Sequence, residues 1–124
     1  KGMGKPTKAL IEFVDLYPTL VDYAGLENPH TMAGRSIRSV LADPDHPGKK
    51  AAYTQVLRGK TMGRSVRTDR WRYTEWGEMG ERGKELYDHG EMDPEYYNLA
   101  GKKELSQTQK DLAELLRKGF PQAP

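Results

Sequence analysis

The sequence predicts an α+β fold in which a small antiparallel sheet of about four strands packs against a C-terminal α-helix. Three observations carry it. Two short helical segments open the chain, a period-two pattern fills its middle, and an apolar stripe at helical spacing closes it. No alternation of strand and helix suggests parallel crossovers.

Residues 1–8 are rich in Gly, Pro and Lys and read as a linker or severed connection. Ala9 to Val14 is apolar apart from Glu12 and is expected to form a short buried strand. Asp15 is placed to cap a helix over Leu16–Ala24, because its carboxylate can accept free amides of the first turn. Pro18 falls in that turn, where a missing N–H costs little, and Gly25 supplies a left-handed stop. Ser36 is expected to cap a second helix, Ile37–Ala42, ended by Asp43-Pro44. Residues 43–50 are turn chemistry.

From Ala51 the period becomes two. Strands are expected over Ala51–Leu57, Met62–Thr68, Trp71–Trp76 and Glu85–Tyr87, with a tight turn at Thr68-Asp69-Arg70-Trp71. Alternation puts Trp71 and Tyr73 on one face, toward the helices, and Arg72, Thr74 and Trp76 on the other. Gly77–Gly83 is an acidic connection, and a brief helix is expected around Tyr96–Leu99. Leu105, Leu112, Leu115 and Leu116 form the final stripe between Lys103 and Lys118, with Leu112 and Leu115 in the core; Gly119 and Pro121 end the helix. The expected organisation is a linker (1–8), one subdomain (9–118) and a tail (119–124).

With 124 residues, 35% hydrophobic and 31% charged, the chain suits one domain with a modest core. No run approaches the ~20 apolar residues of a membrane span. With no cysteine, the sequence holds no disulfide, thiolate metal site or cysteine nucleophile. Its first residue is Lys1 rather than Met, which reads as a fragment or processed piece. The net charge of +2 conceals an asymmetry. Six basic residues and one acid lie between Arg58 and Arg72, and eight acids with two bases lie between Glu75 and Glu95. Such blocks suggest internal pairing, and the near-neutral sum argues against a dedicated nucleic-acid binder.

Four segments in order resemble the C-terminal part of the formylglycine-dependent sulfatases of the alkaline-phosphatase superfamily. Val14-Asp15-Leu16-Tyr17-Pro18-Thr19-Leu20 with Ala24-Gly25-Leu26 is similar to V-D-L-x-P-T-L…A-G-L. Gly34-Arg35-Ser36-Ile37 with Val40-Leu41 is similar to G-x-S-L-x-x-L-L. Met62-Gly63-Arg64-Ser65-Val66-Arg67-Thr68-Asp69-Arg70-Trp71-Arg72-Tyr73 resembles the family's hairpin. Glu85-Leu86-Tyr87-Asp88, Asp93-Pro94 and Asn98-Leu99-Ala100 resemble E-L-Y-D…D-P-x-E-x-x-N-L, with the Asp93-to-Asn98 spacing one residue shorter than usual. The M-G-x-S-V-R-T-D and R-Y-T-x-W segments lean toward the iduronate-2-sulfatase-like branch.

The resemblance implies a parent enzyme that hydrolyses sulfate esters with a formylglycine and a divalent cation, usually calcium. It also implies an N-terminal catalytic domain as partner, a sulfated sugar or other organic sulfate as substrate, and a periplasmic, secreted or lysosomal-type location. The nucleophile motif C/S-x-P-S-R is absent here, so no catalytic or metal residue and no cofactor is assigned within these residues. Substrate contact is assigned to Trp76, Arg58 and Arg72, an aromatic beside positive charge. The alternative is a free-standing module whose Arg58–Trp76 hairpin binds polyanions or nucleic acid. Asp43, Asp45 and His46, and likewise Asp88, Glu91 and Asp93 near His89, have ligand-type side chains but sit in turns; solvated turns and surface histidines are the expectation.

Overall fold

A computed structural model describes residues 4–27, 30–90 and 95–120. The chain divides into two compact units, Lys1–Ala52 and Tyr53–Pro124.

In the first unit, helix α1 (Leu16–Tyr23) and helix α2 (Arg38–Ala42) form where the spacing places them. Gly25 takes φ +65° after α1, the left-handed stop that only glycine adopts freely. The expected strand over Ala9–Val14 does not form. Leu10 makes a single antiparallel bridge to Lys49, and Phe13–Asp15 turns as a 3₁₀ helix. A buried strand needs a partner along its length, and here Phe13 is 92% exposed. Asp15 stands at the N-cap position of α1, as expected, but its side chain makes no capping bond to that helix. It is fully buried, and its carboxylate accepts from the Glu12 amide at 2.9 Å and the Arg35 amide at 2.8 Å. Ser36 is bonded at both ends: its Oγ accepts from the Arg38 amide at 3.3 Å, and its hydroxyl donates to Asp22 Oδ2 at 2.5 Å.

The second unit is built on a four-stranded antiparallel sheet with strands in sequence order: β1 (Ala52–Arg58), β2 (Thr61–Arg67), β3 (Trp71–Trp76) and β4 (Gly83–Asp88). The tight turn between β2 and β3 is closed by the Thr68 amide donating to Trp71 O at 2.8 Å and the Trp71 amide donating to Thr68 Oγ1 at 3.0 Å. Helix α3 (Ser106–Gly119), entered through a 3₁₀ turn at Lys103–Leu105, lies against β2 and β3.

Register sets the core. Val66 faces Tyr73, and Tyr73 faces Leu86, so one row crosses three strands with each side chain at most 1% exposed. Leu112, Ala113 and Leu116 of α3 are buried as well. Leu115, expected in the core, is only half-buried, because it lies at the edge of the arc formed by Leu112, Ala113 and Leu116. Gly119 does not act as a left-handed stop. It is the last residue of α3, and a Cβ there would fall 2.0 Å from the Tyr53 ring, so glycine permits a close approach.

The brief helix expected around Tyr96–Leu99 is a turn instead. Asn98 explains it, since its Oδ1 accepts from the Leu86 amide and its Nδ2 donates to Lys84 O, both at 3.0 Å. The Leu99 amide adds a bond to Leu86 O at 2.8 Å. Backbone groups on β4 that would otherwise lack partners are thus satisfied by this segment rather than by another strand.

Candidate functional site

Along β3, Tyr73 and Glu75 face α3, which leaves Arg72, Thr74 and Trp76 on the outer face, as alternation predicted. The inner set forms a structural network. The Tyr73 hydroxyl donates to Glu75 Oε1 at 2.7 Å, and Arg117 of α3 approaches the same oxygen at 3.3 Å. Burial, reinforced by the Glu75 carboxylate, pushes the Tyr73 hydroxyl far above its ordinary value. Trp71 shares the inner parity, is half-buried, and carries the Arg70 guanidinium 4.7 Å from its ring centre.

On the outer face, two of the three assigned residues meet. Arg58, at the end of β1, places its guanidinium carbon 4.9 Å from the Trp76 ring centre. The indole Nε1 donates to Glu85 Oε1 at 2.9 Å, which fixes the ring plane. The ring lies against Gly63, where a Cβ would fall 2.6 Å from Cζ3, so the close approach requires glycine. Trp76 is half-buried rather than an open shelf, because Gly63, Glu85 and Arg58 each take part of its surface.

Arg72 is placed apart, four residues or about 13 Å along the strand. Its guanidinium pairs with Glu95 at 2.9 Å. Arg67 is its cross-strand neighbour, and His89 Nε2 lies 3.0 Å from the same Glu95. Burial lowers the His89 pKa, with Arg67 and Arg72 adding to that shift and Glu95 opposing it. Burial and the Arg72 charge also lower that of Arg67. His89 is therefore a half-buried member of a charge cluster and not the surface histidine expected from its loop position.

Sequence reasoning missed Glu85, Gly63, His89 and Glu95. Only Glu85 left a usable signal: it stands on β4 opposite Thr74, two positions from Trp76 on the same outer face. The pairing of Arg72 with Glu95, and of Arg70 with Asp88 at 2.6 Å, shows where part of the basic block spends its charge, and this weakens the polyanion-module reading. Asp43 and His46 accept backbone amides of their own turn. Among the described residues no three His, Cys, Asp or Glu side chains gather to hold a metal, and Glu91 and Asp93 lie outside them. The outer face thus carries two groupings, Trp76 with Arg58 and Glu85, and Arg72 with Glu95 and His89.

Residues 2–121 match the family described as N-sulphoglucosamine sulphohydrolase, C-terminal. Among solved structures, the chain is similar to BT4656, described in complex with its substrate D-glucosamine-2-N,6-O-disulfate, at 27% identity and TM-score 0.71 over 85% of this chain and 23% of that one. It is similar to a putative sulfatase from Bacteroides thetaiotaomicron VPI-5482 at 29% identity and TM-score 0.71 over 84% of this chain and 23% of that one. It is also similar to BT1596, described as a 2-O GAG sulfatase, at 30% identity and TM-score 0.71 over 84% of this chain and 23% of that one. No curated protein matches. The chain spans about a quarter of the length of these solved structures.

Proposed function

The chain belongs to the N-sulphoglucosamine sulphohydrolase C-terminal family, and from that premise we propose that it is the closing part of a sulfatase acting on a sulfated sugar of the glycosaminoglycan type. The observation that carries this reading is the family match along nearly the whole chain, supported by likeness to a protein bound to a sulfated glucosamine and to a 2-O GAG sulfatase. In this reading the parent cleaves the sulfate ester with a formylglycine and calcium held upstream of Lys1. This chain's part in that reading is to complete the fold and form one wall of the cleft. Trp76 with Arg58 packs against the apolar face of a sugar ring, and Arg72 holds an anionic substituent. The iduronate-2-sulfatase-like branch is the finer proposal, supported by the Met62–Asp69 pattern on β2 and its turn. A periplasmic, secreted or lysosomal-type site of action follows from the same kinship. No helix among the described residues is long and apolar enough to cross a membrane.

The test is a substrate panel with the full-length enzyme, comparing a 2-O-sulfated uronate disaccharide with N- and 6-O-sulfated glucosamines. Turnover of the 2-O ester alone supports the branch, whereas turnover of only the glucosamine sulfates overturns it and keeps the sulfatase. Trp76→Ala should raise KM several-fold with kcat little changed, which is the signature of lost substrate binding.

A further inference from the structure

Helix α1 is inside out. Toward its own unit the helix and the turn leading into it bury Pro18 together with the polar Asp15, 0% exposed, and Thr19, 6% exposed. The Thr19 hydroxyl donates to Asp15 O at 2.5 Å and accepts from the Ile37 amide at 3.0 Å. Asp22 is held on the same side by Ser36 and Arg38. The opposite side presents Phe13, Leu16, Tyr17 and Leu20, an i, i+3, i+4, i+7 stripe that is 92, 49, 62 and 68% exposed. A helix normally buries such a stripe and wets its hydroxyls and carboxylates. This one does the reverse, and a contiguous exposed patch of that kind marks an interaction surface.

We propose that the Phe13–Leu20 stripe is the seat of the catalytic part of the same sulfatase chain, the segment preceding Lys1. The inference rests on the sulfatase reading and adds the surface by which the two parts join. Three observations choose this occupant. The chain spans 23% of the length of the sulfatase-type structures it resembles, so most of such a chain is available to cover the stripe. The stripe holds only aliphatic and aromatic side chains, the character of a permanent interface rather than of a transient polar encounter. The nearby charges are already matched, Asp15 by Lys49 at 2.6 Å and Asp22 by Arg38 at 2.9 Å, so covering the stripe strands no carboxylate.

The experiment places a photoreactive p-benzoylphenylalanine at Tyr17 in the full-length protein, where its aromatic body replaces one already standing outward. Irradiation followed by peptide mass spectrometry is expected to give adducts on peptides preceding Lys1. Adducts on residues 53–120, adducts linking two copies of the protein, or reaction with solvent alone would each overturn the proposal. Leu20→Asp provides a second reading in the same protein. It should lower the full-length melting temperature by several degrees, and an unchanged melting temperature would count against a buried stripe. Failure of the sulfatase reading is recognised separately, as a full-length protein that carries no formylglycine by mass spectrometry.

Discussion

At the residue scale, the decisive group is Asp15. Burial by itself would raise its pKa, but the Lys49 ammonium and the amides of Arg35 and Glu12 outweigh burial and lower it below the ordinary 3.8. A carboxylate depressed on folding stabilises the fold above its unfolded pKa, and that contribution is lost as pH falls through the folded value. The stability gap between the protein and Asp15→Asn should therefore close below about pH 4 in acid titrations of the melting temperature. Lys49→Met leaves a buried carboxylate without its ion partner and should cost ~3 kcal/mol in denaturant unfolding. Tyr73 has the opposite sign. Its pKa is raised from 10.0 by burial first and Glu75 second, so its contribution is full below the unfolded value and is lost as pH climbs above it. Tyr73→Phe should cost about 1.5–3 kcal/mol at neutral pH, the worth of a hydrogen bond to a charged acceptor. The sequence suggested Asp15 as a cap because aspartate before a helix usually is one. Its actual partners include Arg35 and Lys49, contacts that local pattern does not encode.

At the element scale, legibility followed periodicity. The faces of β3 could be read because strand side chains alternate strictly, and the register of Val66, Tyr73 and Leu86 confirms that alternation. α3 was located by its stripe, but a stripe of four leucines does not reveal that Ala113 lies deeper than Leu115. Leu112→Ala and Leu116→Ala should each cost ~2–5 kcal/mol in thermal or denaturant unfolding, and Leu115→Ala distinctly less. The segment around Tyr96–Leu99 misled because Asn98 is spent on the backbone of β4, a tertiary contact that overrides local helix preference. At the candidate site the sequence supplied Trp76, Arg58 and Arg72, yet the glycine that seats the indole came only from pairing β2 with β3. Gly63→Ala should lift Trp76 off the sheet. Its fluorescence should shift and KM should rise, as for Trp76→Ala, while the Val66–Tyr73–Leu86 row on the other face stays packed.

At the scale of the whole molecule, two compact units carry different duties. The second holds the row of buried side chains beneath α3 and the outer face with its arginines and tryptophan. The first holds a helix whose polar side is buried and whose apolar side is open. The sequence has no cysteine, and its four serines, Ser36, Ser39, Ser65 and Ser106, lie outside any C/S-x-P-S-R motif. Among the described residues, Asp22 pairs with Arg38, Asp88 with Arg70 and Glu95 with Arg72. Sulfate transfer requires a nucleophile to attack sulfur and charge to stabilise the departing oxygens. In the proposed reading the nucleophile belongs to the catalytic part of the parent, and this chain serves binding and assembly. Incubated alone with calcium and a chromogenic aryl sulfate, it should turn over no faster than buffer, while the full-length protein hydrolyses the same ester. Turnover by the chain alone, with contaminating enzyme excluded, would place a nucleophile between Lys1 and Pro124 and overturn the assignment of the chain to binding and assembly.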